Sequence, residues 1–516
     1  MISVAVIDDG INNVFYEVSN ISNSIEITLD LIIHTVTNFN SSNISHGSTC
    51  AAIIKKYCPE AVLTSIKILN DKTRKCTKAQ LVKSIEWCIN NNIQVVNLSL
   101  GTIDYRDCEP IRKIINKAYD KGLIIIAACN NKDVFTYPAS YTNVIGVKCS
   151  DKYNLKEDEY IFNLYPIDGI EILSCSTHTL LKKNLDSIVS KKCNSFATPM
   201  ITAEVCKIII SFYDITLEKI KEQLYKNSLN CTKKALKINN IKNIDWIDTA
   251  AFKYTEKKEH FQELILLNKM NQIEEVDNVK LLSQFNTIIF IGNISDKYGS
   301  IIHKLVKLGK NIVVIDTNLH KKVYKINHNN VNIKFWQPSI VNLFFENCLY
   351  KKKIDIPLII IYDFTYARLL KVLKTLIDKF RNDGYYAIGM CTDPLGILCD
   401  LEYVPMNKNE NLVKIQEKIE ALYGIYDCDI MILGLSINKD STYKIKSINT
   451  LLNPDKVIFT VDCFTSEFKH FFKENFYKPL IISTDYHIDN DYKIFKYESL
   501  NILYKYILGL FVNNEQ

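Results

Sequence analysis

The sequence predicts an α/β protein, with a doubly wound, mostly parallel sheet in its first half and a second α/β domain in its second half. Two observations favour this fold class. Short runs rich in Val and Ile alternate with longer segments of helical character along both halves. Gly, Asn and Asp follow many of these runs, as turn residues do at strand ends. A chain of 516 residues is also too long for one hydrophobic core and predicts two or three domains.

The composition is that of an ordinary globular protein, with 47% hydrophobic and 23% charged residues. The net charge of +6 is small and the lysines are spread, so we expect no nucleic-acid partner. No apolar run approaches the roughly 20 residues that span a bilayer, and Met1–Asp8 does not resemble a signal peptide, so we expect no membrane association. The 16 cysteines form no CxxC pairs, which favours a reducing cytoplasm over disulfides or a zinc site. We expect a cytoplasmic protein without metal or cofactor.

The chain begins with a strand and an acidic turn. The β-branched run Ser3–Ile7 ends at Asp8-Asp9-Gly10, and active sites of open α/β sheets lie at the carboxyl ends of strands. An Asp in this place is also a common turn former. His46 is followed by Gly47 and small residues, which predicts the first turn of a buried helix. Taken alone, His46 has the ordinary interpretation of a core residue.

The alternation continues and leaves polar residues at two further strand ends. An Asn that leaves a strand can donate its side-chain amide into a cleft, and Asn130 follows the strand at 123–128. Ser99, Leu100 and Gly101 end an earlier strand. The predicted strands are 62–69, 94–101, 123–128 and 144–147, and the predicted helices are 78–90 and 111–121.

Ser195 lies between a turn of small residues and an apolar run that predicts a buried helix. At the first turn of a helix its hydroxyl would lie beside unpaired backbone N–H groups and the positive end of the helix dipole, where an oxyanion is stabilised. The simpler interpretation is an N-cap serine. We also expect Pro199 in the first turn, where a missing N–H costs nothing.

These segments together resemble the motifs of the subtilisin-like serine proteases, the subtilases. Val4–Gly10 is similar to the family's aspartate motif, and His46–Ala51 is similar to its histidine motif. Asn97–Gly101 resembles the substrate-binding strand, and Ala127–Asn130 resembles the segment with the oxyanion asparagine. Asn194–Pro199 resembles the serine motif. The order Asp, His, Ser is that of subtilisin.

The resemblance implies a catalytic triad. Ser195 would be the nucleophile, His46 the general base and Asp8 the group that orients the imidazole. The side-chain amide of Asn130 and the backbone N–H of Ser195 would form an oxyanion hole. Ser99, Leu100 and Gly101 would bind an extended substrate as an added strand.

The chain departs from the family pattern at four positions. Asp9 adds a second acidic residue after Asp8, where the family has Ser or Thr, and Cys129, Cys193 and Asn194 replace small family residues. We expect the last three to affect the primary specificity pocket. The loop 70–76 carries three basic residues that would either favour an acidic substrate or simply be solvated, and we favour solvation.

We place a subtilisin-like peptidase domain at 1–250, a charged helical linker at 251–284 and a Rossmann-like or flavodoxin-like α/β domain at 285–516. In this last domain the segment Gly292–Gly299, with Asp316 ending the next strand, is reminiscent of nucleotide sites, but its spacing fits neither GxGxxG nor the P-loop. We expect no metal site there. The acidic residues at strand ends and the histidines of this half show no ligand spacing; they are Asp363, Asp393, Asp462, His303, His320 and His328.

The resemblance implies a cytoplasmic serine endopeptidase acting on a peptide or protein substrate. More loosely, the arrangement is similar to proteases of bacterial peptide-maturation systems, which remove leaders from ribosomally made, modified peptides. The substrate would then be a precursor peptide, and the second domain would bind the leader or a maturation enzyme. Two alternatives stay open: a general intracellular subtilase of housekeeping or sporulation type, and a non-catalytic pseudoprotease that only binds peptides.

Overall fold

The structure is a computed structural model of the chain. It describes residues 1–12, 15–16, 18–36, 44–150, 152–232, 241–255, 270–273, 284–292, 296–315, 332–348, 351–365, 368–406, 412–437, 442–476, 479–484, 489 and 491–512. Most of the predicted linker, together with Asp316, His320 and His328, lies outside these residues.

The chain divides into two compact units. The first comprises Met1–Asp248 and a later segment, Asn327–Phe335. The second comprises Thr249–Ile326 and Trp336–Gln516. Among the described helices, none combines the length and the apolar character that a membrane span requires.

A nine-stranded sheet forms the centre of the first unit, in the order β3-β2-β4-β1-β5-β6-β7-β9-β8. All pairings between neighbouring strands are parallel except those at the two edges, β2–β3 and β8–β9. A separate hairpin consists of β10 and β11. The strands are β1 Ile2–Asp8, β2 Ile21–Ile27, β3 Ile33–Thr35, β4 Ala61–Lys67, β5 Val95–Leu98, β6 Ile124–Ala128, β7 Ile145–Cys149, β8 Tyr160–Phe162, β9 Ile172–Ser174, β10 Thr179–Leu181 and β11 Ser187–Val189.

Helices connect these strands and cover the sheet. The sequence sets several of their ends: Thr77 and Gln80, for example, form a reciprocal capping box at the start of the second helix. The fourth helix is apolar on nearly all sides and is buried in the core, because it packs against both the sheet and the first helix. The helices are α1 His46–Tyr57, α2 Lys78–Asn90, α3 Cys108–Asp120, α4 Asn194–Ser211 and α5 Leu217–Asn227.

The parallel register aligns the carboxyl ends of four adjacent strands. Ile7 of β1 pairs with Leu98 of β5, which pairs with Ala127 of β6. Ala128 of β6 in turn pairs with Val147 of β7. The polar residues that follow these strands therefore meet at one edge of the sheet, which is the edge where open α/β sheets bind ligands.

The second unit contains two further sheets. One has five strands in the order β13-β12-β14-β15-β16, and the other has seven in the order β19-β18-β20-β17-β21-β22-β23. Their elements are β12 Ala251–Tyr254, β13 Asn271–Gln272, β14 Thr287–Ile291, α6 Asp296–Lys307, β15 Asn311–Ile315, β16 Phe335–Trp336, α7 Pro338–Glu346, β17 Leu358–Asp363, α8 Leu369–Asn382, β18 Ala387–Cys391, β19 Glu402–Tyr403, α9 Leu412–Tyr426, β20 Ile430–Ser436, α10 Thr442–Leu452, β21 Lys456–Val461, α11 Ser466–Asn475, β22 Leu480–Ser483, β23 Lys493–Lys496 and α12 Leu500–Val512.

These sheets confirm the predicted fold class, since both halves combine parallel strands with connecting helices. The seven-stranded sheet has the doubly wound arrangement: β17, its first strand in the chain, lies between β20 and β21. The two short strands β12 and β13 lie in the range predicted as a helical linker, and β12 pairs with β14.

One buried ion pair attaches the later segment to the first unit. Lys334 is 3% exposed, and its ammonium group lies 2.8 Å from a carboxylate oxygen of Glu218 on α5. The hydroxyl of Tyr119 donates to the same oxygen at 2.7 Å, and Lys334 also lies 3.7 Å from the centre of that ring. Because neither charge is accessible to water, each depends on the other for its solvation.

Replacing Lys334 by Met should therefore destabilise the first unit by about 3–5 kcal/mol, since it leaves the carboxylate of Glu218 buried without a cation. The free energy of unfolding in urea measures this loss. The matched control is Lys219→Met, an exposed residue next to Glu218 on α5. We expect it to change the free energy of unfolding by no more than about 0.5 kcal/mol. Equal effects of the two substitutions would contradict the assigned role of the pair.

Candidate active site

A hydrogen bond between Asp8 and His46 is the first element of the candidate site. Asp8 is the last residue of β1 and is fully buried, and His46 is the first residue of α1. The Nδ1 atom of His46 lies 2.7 Å from Oδ2 of Asp8. The other oxygen of Asp8 accepts a hydrogen bond from the backbone N–H of Asp9 at 2.8 Å. The bond orients the imidazole, because a carboxylate beside Nδ1 requires the proton on that nitrogen.

The start of α1 is held close to the end of β1. Ser45 caps the helix by accepting from the backbone N–H of Ser48 at 3.0 Å. The backbones are so close that a Cβ atom on Gly47 would lie 2.7 Å from the carbonyl oxygen of Gly10 and 3.1 Å from Cβ of Asp8. Only glycine fits at position 47 without displacing the residues around Asp8.

Asp9, the second acidic residue, has a structural explanation. Its carboxylate accepts from the backbone N–H groups of His46 at 3.0 Å and Gly47 at 2.8 Å, where the helix dipole also favours a negative charge. Arg74 forms an ion pair with the same carboxylate. All three basic residues of the loop 70–76 are exposed, and one of them, Arg74, thus pairs with the buried carboxylate of Asp9.

The surroundings of His46 favour its protonated form. Burial alone lowers the pKa of His46, but its interactions with Cys50 and Asp8 outweigh burial, and the pKa is raised above its ordinary value. Burial also raises the pKa of the Cys50 thiol. Both partners lie at Nδ1 of His46, with Oδ2 of Asp8 at 2.7 Å and Sγ of Cys50 at 3.9 Å.

Cys50, one turn along α1, completes a group of three donor atoms with Asp8 and His46, all within 4.8 Å of one another. Carboxylate, imidazole and thiolate are zinc ligands, and two ligand atoms that share a tetrahedral zinc ion lie roughly 3.3 Å apart. The 2.7 Å between Asp8 and His46 is a hydrogen-bond distance and is too short for an ion between them. The thiol lies 3.4 Å from the hydroxyl of Ser99.

Ser195 is the second residue of α4, so it lies at the helix N-terminus as predicted from sequence. Cys193 is the N-cap residue, and its side chain makes no capping hydrogen bond. The hydroxyl of Ser195 donates to the carbonyl oxygen of Ser99 at 3.2 Å. Transfer of its proton to His46 therefore requires the hydroxyl to give up this acceptor.

The position of Pro199 differs from the prediction, and the difference has a consequence for Ser195. Pro199 is the sixth residue of α4, within the helix rather than in its first turn. Because proline has no N–H, the carbonyl oxygen of Ser195, four residues earlier, has no helical donor. The hydroxyl of Ser99 donates to that oxygen instead, at 2.9 Å. Ser99 and Ser195 thus hold each other through two hydrogen bonds.

A buried polar network supports this pair. Asn97, in the apolar strand β5, donates from its side chain to the hydroxyl of Ser99 at 3.1 Å. The hydroxyl of Thr202 on α4 donates to the side-chain oxygen of Asn97 at 2.9 Å. A polar residue within the run Val95–Leu98 was the one sequence signal for this network, since buried polar side chains need partners.

Phe196 and His178 were not identified from sequence. The ring of Phe196 stacks on the imidazole of His46, with centroids 4.9 Å apart. His178 is buried, and burial lowers its pKa to about 4. Its Nε2 lies 3.0 Å from the carbonyl oxygen of Phe196, which can only accept, so Nε2 carries the proton and Nδ1 accepts from the hydroxyl of Tyr57 at 2.9 Å.

Asn130 lies just beyond the end of β6. Its side-chain oxygen accepts from the backbone N–H of Lys132 at 2.8 Å, and its own N–H donates to the hydroxyl of Thr136 at 2.9 Å. Among the described residues, none accepts a hydrogen bond from its side-chain Nδ2. The amide group can therefore donate to a bound ligand.

The predicted substrate strand follows β5. Ser99 is buried, Leu100 is half-buried and Gly101 is exposed. A Cβ atom on Gly101 would lie 2.8 Å from the carbonyl oxygen of Tyr137, so this glycine permits a close backbone approach. The next residue, Thr102, forms an antiparallel bridge with Tyr137. The strand is thus anchored on one side by Tyr137 and at its start by the pair with Ser195.

The candidates of the second half that the structure describes do not come together in a comparable site. Asp363 ends β17 and is buried, Asp393 caps a short helix through Leu395, and Asp462 is exposed. His303 is exposed on α6. Within the described part of the chain, the cluster at Asp8 is the only group of three metal-ligating side chains.

Part of the chain is similar to known proteins. Residues 1–244 match the family model described as the subtilase family. The chain is 30% identical over 166 residues to the minor extracellular protease Epr of Bacillus subtilis (strain 168), which covers 30% of this chain and 24% of that protein. It is 23% identical over 208 residues to subtilisin DY of Bacillus licheniformis, covering 37% of this chain and 73% of the relative.

Among solved structures, that of the prenylagaramide maturation protease PagA matches at 22% identity and a TM-score of 0.34, covering 46% of this chain and 86% of that one. The chain spans only 24% of the length of the relative Epr. The motif residues, their meeting at one sheet edge and the family match agree: residues 1–244 of this chain are similar to the subtilase family.

Proposed function

We propose that the protein is a serine endopeptidase that uses Asp8, His46 and Ser195 as a catalytic triad. The observation that carries the proposal is the hydrogen bond of 2.7 Å between Asp8 and His46, next to a serine at a buried helix N-terminus. A buried carboxylate that orients an imidazole is the arrangement that activates a serine hydroxyl.

In the proposed reaction, the neutral imidazole of His46 takes the proton of the Ser195 hydroxyl as Oγ attacks the carbonyl carbon of the scissile bond. The C=O double bond becomes a C–O⁻ single bond in the tetrahedral intermediate. The imidazolium then gives the proton to the leaving nitrogen, and the C–N bond breaks. Water repeats the sequence on the acyl-enzyme ester and restores the serine.

Three groups on the protein stabilise the charges that develop. The carboxylate of Asp8, 2.7 Å from Nδ1 of His46, stabilises the imidazolium. The side-chain amide of Asn130 and the backbone N–H of Ser195 donate to the oxyanion. The N–H of Ser195 belongs to the first turn of α4, where it has no acceptor within the helix.

The substrate binds as an extended segment along Ser99, Leu100 and Gly101. Main-chain hydrogen bonds to such a strand give affinity that does not depend on sequence, and pockets for alternate side chains give specificity. Gly101 is exposed, so the backbone at this point of the strand is accessible to an added one.

A narrower form of the proposal assigns a precursor peptide as the substrate and the cytoplasm as the compartment. The second unit would then bind the leader or a maturation enzyme. The support for this form is the absence of disulfides among the described cysteines and the resemblance in domain arrangement. The competing forms are a general intracellular protease and a non-catalytic peptide-binding protein.

These forms differ in what the purified full chain does to substrates. Cleavage of casein that is lost in Ser195→Ala supports a general protease. Cleavage restricted to a precursor peptide encoded beside the gene supports the narrower form. Binding of that peptide without cleavage over hours supports the non-catalytic alternative and contradicts the proposed activity.

A fluorophosphonate probe tests the nucleophile. The wild-type protein should become labelled, and Ser195→Ala should not, because the probe reacts with an activated serine hydroxyl. The matched control is Ser187→Ala, which removes an exposed hydroxyl on β11 and should leave labelling unchanged. Labelling of Ser195→Ala at the wild-type rate would contradict the assignment.

The pH dependence of labelling tests the base. Only neutral His46 can accept the proton, so the rate should rise as pH increases through the pKa of His46. Because that pKa is raised, the midpoint should lie above the ordinary value of about 6.5. The measurement is the second-order labelling rate between pH 5 and pH 11, and a rate that levels off with a midpoint at or below the ordinary value would refute the raised pKa of His46.

A further inference from the structure

Asn194, the residue before Ser195, is 2% exposed and uses all of its polar groups. Its backbone N–H donates to the side-chain oxygen of Asn131 at 3.2 Å. Its side-chain oxygen accepts from the backbone N–H of Cys149 at 2.8 Å, and its side-chain Nδ2 donates to the carbonyl oxygen of Asn130 at 2.9 Å. One side chain therefore joins the start of α4 to the ends of two strands, β6 and β7.

The hydrogen bond from Asn194 joins Asn130 to another element of the fold, whereas the other hydrogen bonds of Asn130 stay within its own loop. Those others go to Lys132, Asp133 and Thr136, which belong to the same loop. They fix the shape of the loop, but they do not fix its distance from α4. Among the described residues, Asn194 supplies the hydrogen bond that connects Asn130 to the helix carrying Ser195.

We propose that Asn194 is a positioning residue, which sets the distance between the amide of Asn130 and the backbone N–H of Ser195. The inference rests on the proposed function, in which these two groups are the oxyanion donors. Such donors must lie about 2.7–3.1 Å from the oxyanion, so a small shift of the Asn130 loop weakens one of them. Asn194 acts through Asn130 and does not itself reach the substrate, since it is buried.

The test is a double-mutant cycle on the full chain, with p-nitrophenyl acetate as the substrate. Asn194→Ala should lower kcat roughly 10- to 100-fold and leave KM close to that of the wild type. Asn130→Ala should lower kcat about 10²- to 10³-fold. If Asn194 acts through Asn130, the double variant should be no slower than Asn130→Ala alone, because the group being positioned is already absent.

Two further variants separate positioning from folding. Asn194→Asp keeps the size of the side chain and the oxygen that accepts from Cys149. It replaces the NH₂ group that donates to Asn130 by an oxygen, so it should lower kcat as much as Asn194→Ala does. Asn143→Ala removes another buried asparagine, whose amide donates to Asn116 at 2.9 Å, and should leave kcat unchanged. All rates are divided by the active-site concentration from fluorophosphonate titration, so that unfolded protein does not count.

The outcomes distinguish the inference from the proposed function. A wild-type protein that neither reacts with the fluorophosphonate nor hydrolyses the ester overturns the proposed function and the inference with it. An active wild type overturns the inference alone if Asn194→Ala and Asn194→Asp retain full kcat. Losses that multiply in the double variant also overturn it, since Asn194 would then act independently of Asn130.

Discussion

The close approach between the end of β1 and the start of α1 is the constraint on which the candidate site depends. The bond between Asp8 and His46 forms only if the two backbones nearly touch, and the missing side chain of Gly47 permits this. Such an approach brings the helix N–H groups against an acidic turn. The carboxylate of Asp9 accepts from two of them, so adjacent aspartates have separate tasks: one orients the imidazole, and the other fixes the helix that carries it.

The position of Ser195 also depends on the sheet. Neighbouring strands lie roughly 4.8 Å apart, so groups attached to the ends of successive strands have nearly fixed separations. The helix of Ser195 is tied to three of these ends: to β5 through Ser99, to β6 through Asn130 and to β7 through Cys149. The sheet spacing thereby determines where the hydroxyl and the amide donors stand relative to His46.

The parts of the site that local patterns encode were predictable from sequence. Strand ends at Asp8 and Asn130 and helix starts at His46 and Ser195 follow from apolar runs that stop at turn residues. The connections between them were not predictable, because their partners are distant in the chain. Asp9 and Arg74 are 65 positions apart, and Asn194 and Asn130 are 64 apart.

Pro199 shows a different reason for a wrong prediction. Helix preferences favour proline in the first turn, where it costs no hydrogen bond. In this helix proline lies further along, and the carbonyl oxygen that it leaves without a donor belongs to Ser195. The hydroxyl of Ser99, which follows strand β5, donates to this oxygen instead. Local preference is overridden here because the tertiary structure supplies the missing donor, and no sequence pattern contains that information.

The second unit shows that the strand-end position alone does not produce such a site. Asp363 ends a central parallel strand, as Asp8 does, and is equally buried. One oxygen of Asp363 takes hydrogen bonds from Thr365 and Thr460, the other has no partner among the described residues, and burial raises its pKa. The hydrogen bonds from these hydroxyl groups favour the charged form of Asp363, but burial outweighs them and stabilises the uncharged form. Asp8 occupies the same position at the end of a parallel strand, but an imidazole lies 2.7 Å away and forms an ion pair with it. The neighbouring side chains, and not the fold, therefore determine the chemistry of the aspartate.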